Sequence, residues 1–415
     1  MRTRRAALAL TSLISLSLLT AMLPRTARAT SPAATTIRPT PAAGPRTAQT
    51  VSTQGTDWHQ FHFSADHRGV NPYEHVLSRQ NVSGLEVGWS LLMTSGALGS
   101  PAVVNGVVYI GTFDTFYAVN AATGTSLWTR FESGALWTSP AVWKGRVYVG
   151  SANGAVYAMN AKTGRPLWSY YPGAALFNLS LADGKVFFGT VGGYVYALEA
   201  RTGELVWKVL GRGETHSNPT VVDGKVYLGG ITQHLTVLDE ATGELLWTGQ
   251  MDHSTDSTPA VVNGMVYVGA NYPDDKLYAF DADGCGAPTC QPVWTAFTST
   301  RAETNSSPAV ARGTVFIGSG DGRLYAFDAA TGARKWAHDF GAPYGFLLAS
   351  PVIAGGVLFI GGGSDNWIRA VDPTDGSPLW GYETGDKINT TPAVVDGWLY
   401  IGSLDSYLYA FHLAG

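Results

Sequence analysis

Short runs of alternating apolar and polar residues recur about every 40 residues from Ser100 onward in this 415-residue chain. Each run follows a turn dipeptide, as Val107–Gly111 follows Asn105-Gly106. Asn-Gly and Asp-Gly accept positive φ at both central positions of a type I′ turn, whose twist matches that of paired strands. Eight dipeptides therefore predict eight hairpins: Asn105-Gly106, Lys144-Gly145, Asp183-Gly184, Asp223-Gly224, Asn263-Gly264, Arg312-Gly313, Gly355-Gly356 and Asp396-Gly397.

Each repeat unit carries further strand signals on either side of its hairpin. An opening strand begins after Pro101, Pro140, Pro219, Pro259, Pro308, Pro351 or Pro392, and Leu179 takes the place of proline once. Tyr-Ala pairs begin at Tyr117, Tyr157, Tyr196, Tyr278, Tyr325 and Tyr409. A Thr-Gly turn then leads to Trp128, Trp168, Trp207, Trp247 and Trp336, with the variant Asp375-Gly376 before Trp380. Each unit is thus predicted to contain four strands.

Four strands per unit without a helical pattern are typical of a propeller blade, since a linear β-solenoid has much shorter repeats. We predict an all-β fold, an eight-bladed β-propeller of four-stranded antiparallel blades. The last unit ends before its fourth strand, whereas residues 82–92 around Trp89 form a strand without a hairpin. This strand is expected to complete the eighth blade and to remove exposed sheet edges. The blades are expected near residues 101–131, 140–170, 179–210, 219–250, 259–297, 308–340, 351–382 and 392–413.

The N-terminal region lacks the repeat. Residues 1–29 have the pattern of a secretory signal peptide, with arginines at positions 2, 4 and 5, an apolar stretch over 6–23 and Ala27-Arg28-Ala29 as a cleavage site. An uncleaved anchor is the alternative, and Arg4-Arg5 leaves twin-arginine export open. Residues 30–56 are rich in Ala, Thr and Pro and are predicted to be a flexible leader. The propeller domain is predicted to span residues 57–415.

Composition limits the classes of partner. The net charge of −4 and the lack of a basic run argue against nucleic acid. We expect a monomer with no membrane span once the signal is cleaved. Cys285 and Cys290, the only cysteines, lie in an expanded turn of the fifth unit, and in an exported protein a disulfide is the default. Closing so short a loop is expected to contribute about 2 kcal/mol.

The run from Ala through Thr-Gly to Trp resembles the tryptophan-docking motif of the quinoprotein dehydrogenase propellers, which bind pyrroloquinoline quinone (PQQ). The resemblance covers residues 57–415. It implies that one tryptophan per blade packs between neighbouring blades: Trp89, Trp128, Trp168, Trp207, Trp247, Trp294, Trp336 and Trp380. The same repeats occur in the scaffold propeller of the bacterial outer-membrane barrel-assembly machinery. The catalytic branch typically has adjacent cysteines over the quinone, calcium ligands and a catalytic aspartate, and this chain has no adjacent cysteine pair.

Polar residues just before the opening strands define a candidate binding site, because these segments approach the central channel from one face. They are Glu132, Trp137, Glu214, His216, Asn218, Asp252, His253, Asp256, Arg301, Glu303, Asn305, Tyr344, Asp386, Lys387 and Asn389. Carboxylates, amides and an aromatic plate are groups that hold calcium and a planar cofactor. The alternative interpretation is that a water-filled channel mouth is polar in any case.

Two other groups of residues are candidate sites. His59, His62, His67 and His75 form a cluster that metal sites also show, although a packed or exposed lead-in segment is the favoured explanation. The aromatic residues Trp137, Trp143, Trp367 and Trp398 are candidates for glycan binding if they are exposed.

All the sequence features of the propeller fold are present, whereas the features of the catalytic branch are incomplete. This contrast favours a secreted, non-catalytic propeller that binds a protein, glycan or small-molecule partner. The alternative is an alcohol or sugar oxidoreductase that uses PQQ and calcium, with Asp256 or Glu303 as the base toward the substrate hydroxyl. A glycan- or cell-wall-binding module is the third hypothesis.

Overall fold

The turn dipeptides form the hairpins that the sequence predicts. At the first hairpin Asn105 and Gly106 have φ values of 51° and 71°, so both central positions adopt the left-handed conformation of a type I′ turn. The computed structural model describes residues 57–414 except 132–133, 135, 137, 177, 272, 299–305 and 342–348. All of these belong to the unit Pro45–Gly415. The predicted signal peptide and leader lie outside the described residues.

The strands follow one another along the chain without an intervening α-helix in the described residues. Before the first blade come β1 (Val70–Asn71), a 3₁₀ turn (Val82–Gly84) and β2 (Leu85–Leu92). Blades 1 and 2 contain β3 (Ala102–Val104), β4 (Val107–Gly111), β5 (Thr115–Asn120), β6 (Ser126–Phe131), β7 (Ala141–Trp143), β8 (Arg146–Gly150), β9 (Val156–Asn160) and β10 (Pro166–Tyr170). Blades 3 and 4 contain β11 (Leu179–Ala182), β12 (Lys185–Gly189), β13 (Tyr194–Glu199), β14 (Leu205–Leu210), β15 (Thr220–Val222), β16 (Lys225–Leu228), β17 (His234–Asp239) and β18 (Leu245–Gln250).

The second half of the ring follows the same order. The chain segments of blades 5 and 6 contain β19 (Ala260–Val262), β20 (Met265–Gly269), β21 (Lys276–Asp281), β22 (Thr289–Cys290), β23 (Trp294–Phe297), β24 (Ala309–Ala311), β25 (Thr314–Gly318), β26 (Arg323–Asp328) and β27 (Arg334–Asp339), of which β22 pairs with blade 4. Blades 7 and 8 contain β28 (Val352–Ala354), β29 (Val357–Gly361), β30 (Trp367–Val371), β31 (Pro378–Glu383), β32 (Ala393–Val395), β33 (Trp398–Gly402) and β34 (Tyr407–Leu413).

Eight sheets form the eight blades of a β-propeller, each with four antiparallel strands as predicted. In addition, β1 and β22 pair in parallel with the edge strands of blades 7 and 4. The shortest strand of each blade is innermost, and these inner strands neighbour one another around the central channel. The ring closes through β2, which is the outer strand of blade 8 and pairs antiparallel with β34 from Leu85 opposite Leu413 to Leu92 opposite Tyr407. The predicted closing strand around Trp89 is therefore confirmed.

The tryptophan of each outer strand contacts the next blade. Trp89 donates its indole N–H to the carbonyl of Ala121 at 2.9 Å, and its ring lies against Gly124. A Cβ on Gly124 would lie 2.7 Å from that ring, and its φ of 71° also favours glycine. Equivalent hydrogen bonds are made by Trp128, Trp168, Trp207, Trp294, Trp336 and Trp380.

Trp247 does not make this hydrogen bond, because a disulfide-bonded turn of blade 5 replaces the Thr-Gly turn that most of the other docking tryptophans meet. Its ring lies against Gly284 of the expanded turn, but among the described residues its indole N–H has no hydrogen-bond partner. Cys285 and Cys290 form the predicted disulfide in this turn. Strand β22, which contains Cys290, pairs with the outer strand β18 of blade 4. The disulfide thus lies at the outer edge of the ring, away from the channel.

Residues 57–71 occupy the channel, and we call this segment the plug. It hydrogen-bonds one central residue in the inner strand of every blade: Val103, Val142, Leu181, Val221, Val261, Val310, Ile353 and Val394. Its apolar side chains Trp58, Phe61 and Phe63 are buried. The sequence alone predicts no more than a packed or exposed lead-in segment at this place.

The plug lies toward the face of the ring that carries the eight hairpin turns. At its start the Asp57 carboxylate accepts a hydrogen bond from the backbone N–H of Asn105, in the turn of blade 1. Just after it, Glu74 accepts one from Gly397, in the turn of blade 8. We call this the turn face, and the opposite face, where the inner strands begin, the mouth face.

Candidate functional site at the mouth of the channel

A belt of hydroxyl groups fixes the segments that enter the inner strands at the mouth face. In the described part of the chain, the residue before the inner strand donates its backbone N–H to a hydroxyl of the next blade in six of the eight blades. These residues are Ser100, Asn218, Thr258, Ser307, Ser350 and Thr391. Blades 3 and 4 carry Asn178 and Asn218 at this position, so they offer no hydroxyl to the blade before them.

His216 lies between two carboxylates, close to the blades that carry asparagine in place of Ser or Thr. Its Nδ1 is 3.1 Å from Oδ1 of Asp256, and its Nε2 is 3.6 Å from Oε2 of Glu214. The side chain of Asn178 donates to the carbonyl of His216 at 2.6 Å, which ties blade 3 to the same segment. The structure therefore brings together three of the predicted mouth residues, from blades 4 and 5, and adds Asn178, which sequence analysis missed.

The two carboxylates determine the charge of His216. Burial alone would lower the pKa of this imidazole, but the hydrogen bond and charge of Asp256 and the charge of Glu214 outweigh it, so the pKa is raised. His216 is consequently a better cation than an ordinary histidine. An imidazolium between two carboxylates can hold charged ligand groups, but it is not available as a general base.

Asn218 is buried next to this group. Its side-chain N–H donates to Oγ1 of Thr258 at 3.0 Å, whereas its carbonyl oxygen has no hydrogen-bond partner among the described residues. A buried amide oxygen without a partner carries a desolvation cost and favours any donor that reaches it. Asn218 therefore offers an acceptor beside the His216 group.

Asp252 and His253 belong to a different group on blade 5. Lys276 pairs with both Asp252 and Asp274, and Asp274 also accepts the hydroxyl of Tyr278 at 2.5 Å. His253 contacts Ser254 within its own segment. Lys276 was missed by sequence analysis, although the run from Asp274 to Tyr278 matches Asp321 to Tyr325 of blade 6, where the same Asp–Tyr hydrogen bond forms.

The remaining candidates are distributed around the ring or lie outside the described residues. Lys387 is exposed and Asn389 is half-buried, and both lie before the inner strand of blade 8, opposite the His216 group. The described residues do not include Glu132, Trp137, Arg301, Glu303, Asn305 and Tyr344.

The histidines of the lead-in segment are packed into the protein. His62 and His67 are buried in the plug, where Nδ1 of His62 lies 3.0 Å from the carbonyl of His67 and Nε2 of His67 lies 2.9 Å from Oγ of Ser180. His59 contacts the carbonyl of Val142, and His75 is exposed. These positions do not converge, and no group of three or more potential metal ligands occurs in the part of the chain that the structure describes.

The tryptophans that are candidates for glycan binding are only partly accessible. Trp143, Trp367 and Trp398 are half-buried. Trp398 stacks on Tyr400 and lies against His412, and Lys144 covers the ring of Trp143. Their faces are therefore largely used by contacts within the protein.

An eight-bladed ring with one docking tryptophan per blade defines the class of PQQ-like propellers. The model of one family, described as outer membrane protein assembly factor BamB, matches residues 75–180 and 174–361. These matches cover more than half of the chain, and the protein belongs to this family of PQQ-like propellers.

Curated relatives include both enzymes and assembly factors. A 1-butanol dehydrogenase (cytochrome c) of Thauera butanivorans is 43% identical over 81 residues, which are 18% of this chain and 12% of the relative. Outer membrane protein assembly factor BamB of Shewanella oneidensis is 31% identical over 115 residues, which are 24% of this chain and 29% of the relative. The chain thus matches less than a third of the length of either relative.

Among solved structures, the quinohemoprotein alcohol dehydrogenase of Comamonas testosteroni superposes with a TM-score of 0.71. The match covers 87% of this chain and 81% of that one at 16% identity, and it establishes the shared fold. In the described part of this chain, no helix has the length and apolar character needed to cross a membrane.

The described residues do not fit a calcium–quinone centre of the kind that the resemblance implied. The oxygens of Asp256 and Glu214 that would serve as calcium ligands turn toward His216, whose charge opposes a second cation in the same place. The disulfide lies on the outer edge of blade 4, so it cannot cover a planar cofactor in the channel.

Proposed function

We propose that this protein is an extracytoplasmic, non-catalytic propeller that binds a small ligand or a protruding group of a partner at the mouth of its channel. The signal-like pattern of residues 1–29 supports export, and the Cys285–Cys290 disulfide is consistent with an oxidising compartment. Because the plug fills the channel toward the turn face, a ligand would approach from the mouth face.

The pairing of His216 with Asp256 and Glu214 carries this proposal. Asp256 is the described carboxylate that the oxidoreductase alternative would use as base, and here it accepts a hydrogen bond from a histidine whose pKa is raised. The Oδ1 oxygen of this carboxylate is engaged by the imidazole rather than free to approach a substrate hydroxyl. The arrangement suits recognition of a polar group by the partly exposed fixed charges of these three side chains.

The test is isothermal titration of the purified mature chain with PQQ, with and without calcium, together with a dye-linked alcohol oxidation assay. We expect no calcium-dependent binding of the quinone and no turnover. Tight calcium-dependent binding with sustained turnover on any alcohol would instead establish the oxidoreductase. In that case Asp256→Asn should abolish turnover, whereas His253→Ala, on the neighbouring group, should not.

A further inference from the structure

The residue three positions after each docking tryptophan lies where the outer strand reaches the mouth face. Around the ring from blade 8 this position is occupied by Leu92, Phe131, Tyr171, Leu210, Gln250, Phe297, Asp339 and Glu383. Four antiparallel strands return the chain to the face on which the inner strand began, so all eight residues lie along one rim. The same structural position is thus apolar in some blades and polar or acidic in others.

Four of the five apolar residues are on consecutive blades, and the fifth, Phe297 of blade 5, is also exposed but is separated from them by Gln250 of blade 4. Leu92, Phe131, Tyr171 and Leu210 belong to blades 8, 1, 2 and 3 and expose between 63% and 72% of their surface. We call these four residues the apolar crescent. Single exposed apolar residues are ordinary, and what distinguishes these four is that they occupy one repeated position on adjacent blades, along one rim of the ring.

Charge and shape around the crescent indicate what it contacts. Lys208 and Arg212 are exposed on either side of Leu210, and the Nζ of Lys208 lies 4.1 Å above the ring of Tyr194. On the other side of the ring, the equivalent positions carry Asp339 and Glu383. One apolar side chain per blade, all along one rim, matches a flat target better than a peptide, which needs a continuous groove.

We propose that the apolar crescent docks the mouth face onto an anionic lipid surface. Leucine and aromatic side chains enter the boundary between headgroups and acyl chains, and nearby lysine and arginine side chains are attracted to anionic headgroups. Because the crescent covers half of the rim and is centred between blades 1 and 2, the ring meets the surface tilted, with the side of blades 5 and 6 raised. This inference does not depend on the proposed ligand at the channel mouth.

The test is co-sedimentation of the purified mature chain with vesicles of phosphatidylcholine, alone or mixed with phosphatidylglycerol. We expect binding to the mixed vesicles, weaker binding to phosphatidylcholine alone, and weakening by salt. The triple variant F131S/Y171S/L210S should lose more than about tenfold in vesicle affinity. Leu92 is left unchanged because its strand closes the ring.

A matched control is available on the same strands. Leu127, Leu167 and Leu205 are exposed near the opposite ends of β6, β10 and β14, toward the turn face. The variant L127S/L167S/L205S removes as many exposed apolar side chains and should bind vesicles as the unchanged protein does. Thermal melting of both variants checks that they fold, and the single variants Y171S and L210S should each give a partial loss.

Absence of wild-type binding to the mixed vesicles would overturn the proposal. Equal loss of binding in both triple variants would overturn it as well, because the effect would not be specific to the mouth face. PQQ titration of the crescent variant separates this result from the function of the channel, since the two sites share no residue.

Discussion

The two ends of the channel are built from different interactions. At the turn face, the plug meets the inner strands of all eight blades through hydrogen bonds and buries Trp58, Phe61 and Phe63. At the mouth, His216, Glu214 and Asp256 interact through charges that are partly exposed. Buried apolar contacts contribute several kcal/mol each, whereas exposed ion pairs contribute little. The difference indicates that the plug end of the channel contributes most to the stability of the fold, whereas the mouth contributes little and is available to bind a ligand.

The largest expected effect is that of removing the buried tryptophan of the plug. Trp58 exchanges backbone hydrogen bonds with Val103 and packs edge-to-face on Phe63. We expect Trp58→Ala to lower the free energy of unfolding by about 3 to 5 kcal/mol, as for other large buried side chains. At the mouth, His253→Ala should change it by less than about 0.5 kcal/mol. Chemical denaturation of both variants measures the contrast, and equal losses would contradict the assignment of stability to the plug end.

The second prediction concerns the response of the plug to acid. Burial lowers the pKa of His62 from 6.5 to about 3 and that of His67 from 6.5 to about 4. Below about pH 6.5 the unfolded chain binds protons that the folded plug does not accept, so unfolding becomes easier as the pH falls. Each histidine is expected to contribute a slope of about 1.4 kcal/mol per pH unit between about pH 6 and its folded pKa.

Denaturation of the double variant H62Q/H67Q at a series of pH values isolates this slope. The variant is expected to be less stable than the wild type at neutral pH, because hydrogen bonds of His67 to Phe61 and Ser180 are altered. The difference between the two proteins should shrink steadily as the pH is lowered. If the free energies of unfolding of the wild type and the variant changed in parallel with pH, the plug histidines would not determine the acid sensitivity.

The smallest expected effect belongs to His216 and has the opposite sign. Its pKa is raised, so its ion pairs stabilise the folded state below about pH 6.5, and this contribution is lost as the pH rises through the raised folded pKa. Because the group is partly exposed, we expect less than about 1 kcal/mol. NMR titration should give His216 a pKa above 6.5, lowered again by Asp256→Asn. A pKa that does not respond to Asp256→Asn would refute the pairing.

The propeller itself could be predicted because its signals are local. Turn dipeptides such as Asn105-Gly106 act within a few residues, and counting strands was enough to assign the spare strand around Trp89 to blade 8. The plug gives no such signal. Most of its contacts pair backbone groups far apart in sequence, as Trp58 does with Val103, and no residue type is required for them.

The candidate site could be predicted only in part. The position before each inner strand places His216 and Asp256 at the mouth, but the sequence does not say that they pair or that Asn178 joins them. Trp398 and Trp143 are half-buried rather than exposed, because their contacts with Tyr400 and Lys144 depend on the fold. Trp247 lacks the hydrogen bond of the other docking tryptophans because a disulfide-bonded turn replaces Thr-Gly.

Repeat proteins change length during evolution by duplicating or losing whole units. In this ring, a segment outside the repeats opposes a change in the number of blades. The segment of residues 57–71 presents one hydrogen-bonding partner for each of eight inner strands. A chain with seven units would leave one of these partners buried and unsatisfied, and a chain with nine would leave an inner strand without its partner. The number of blades is therefore specified twice, once by the repeats and once by a stretch that does not repeat.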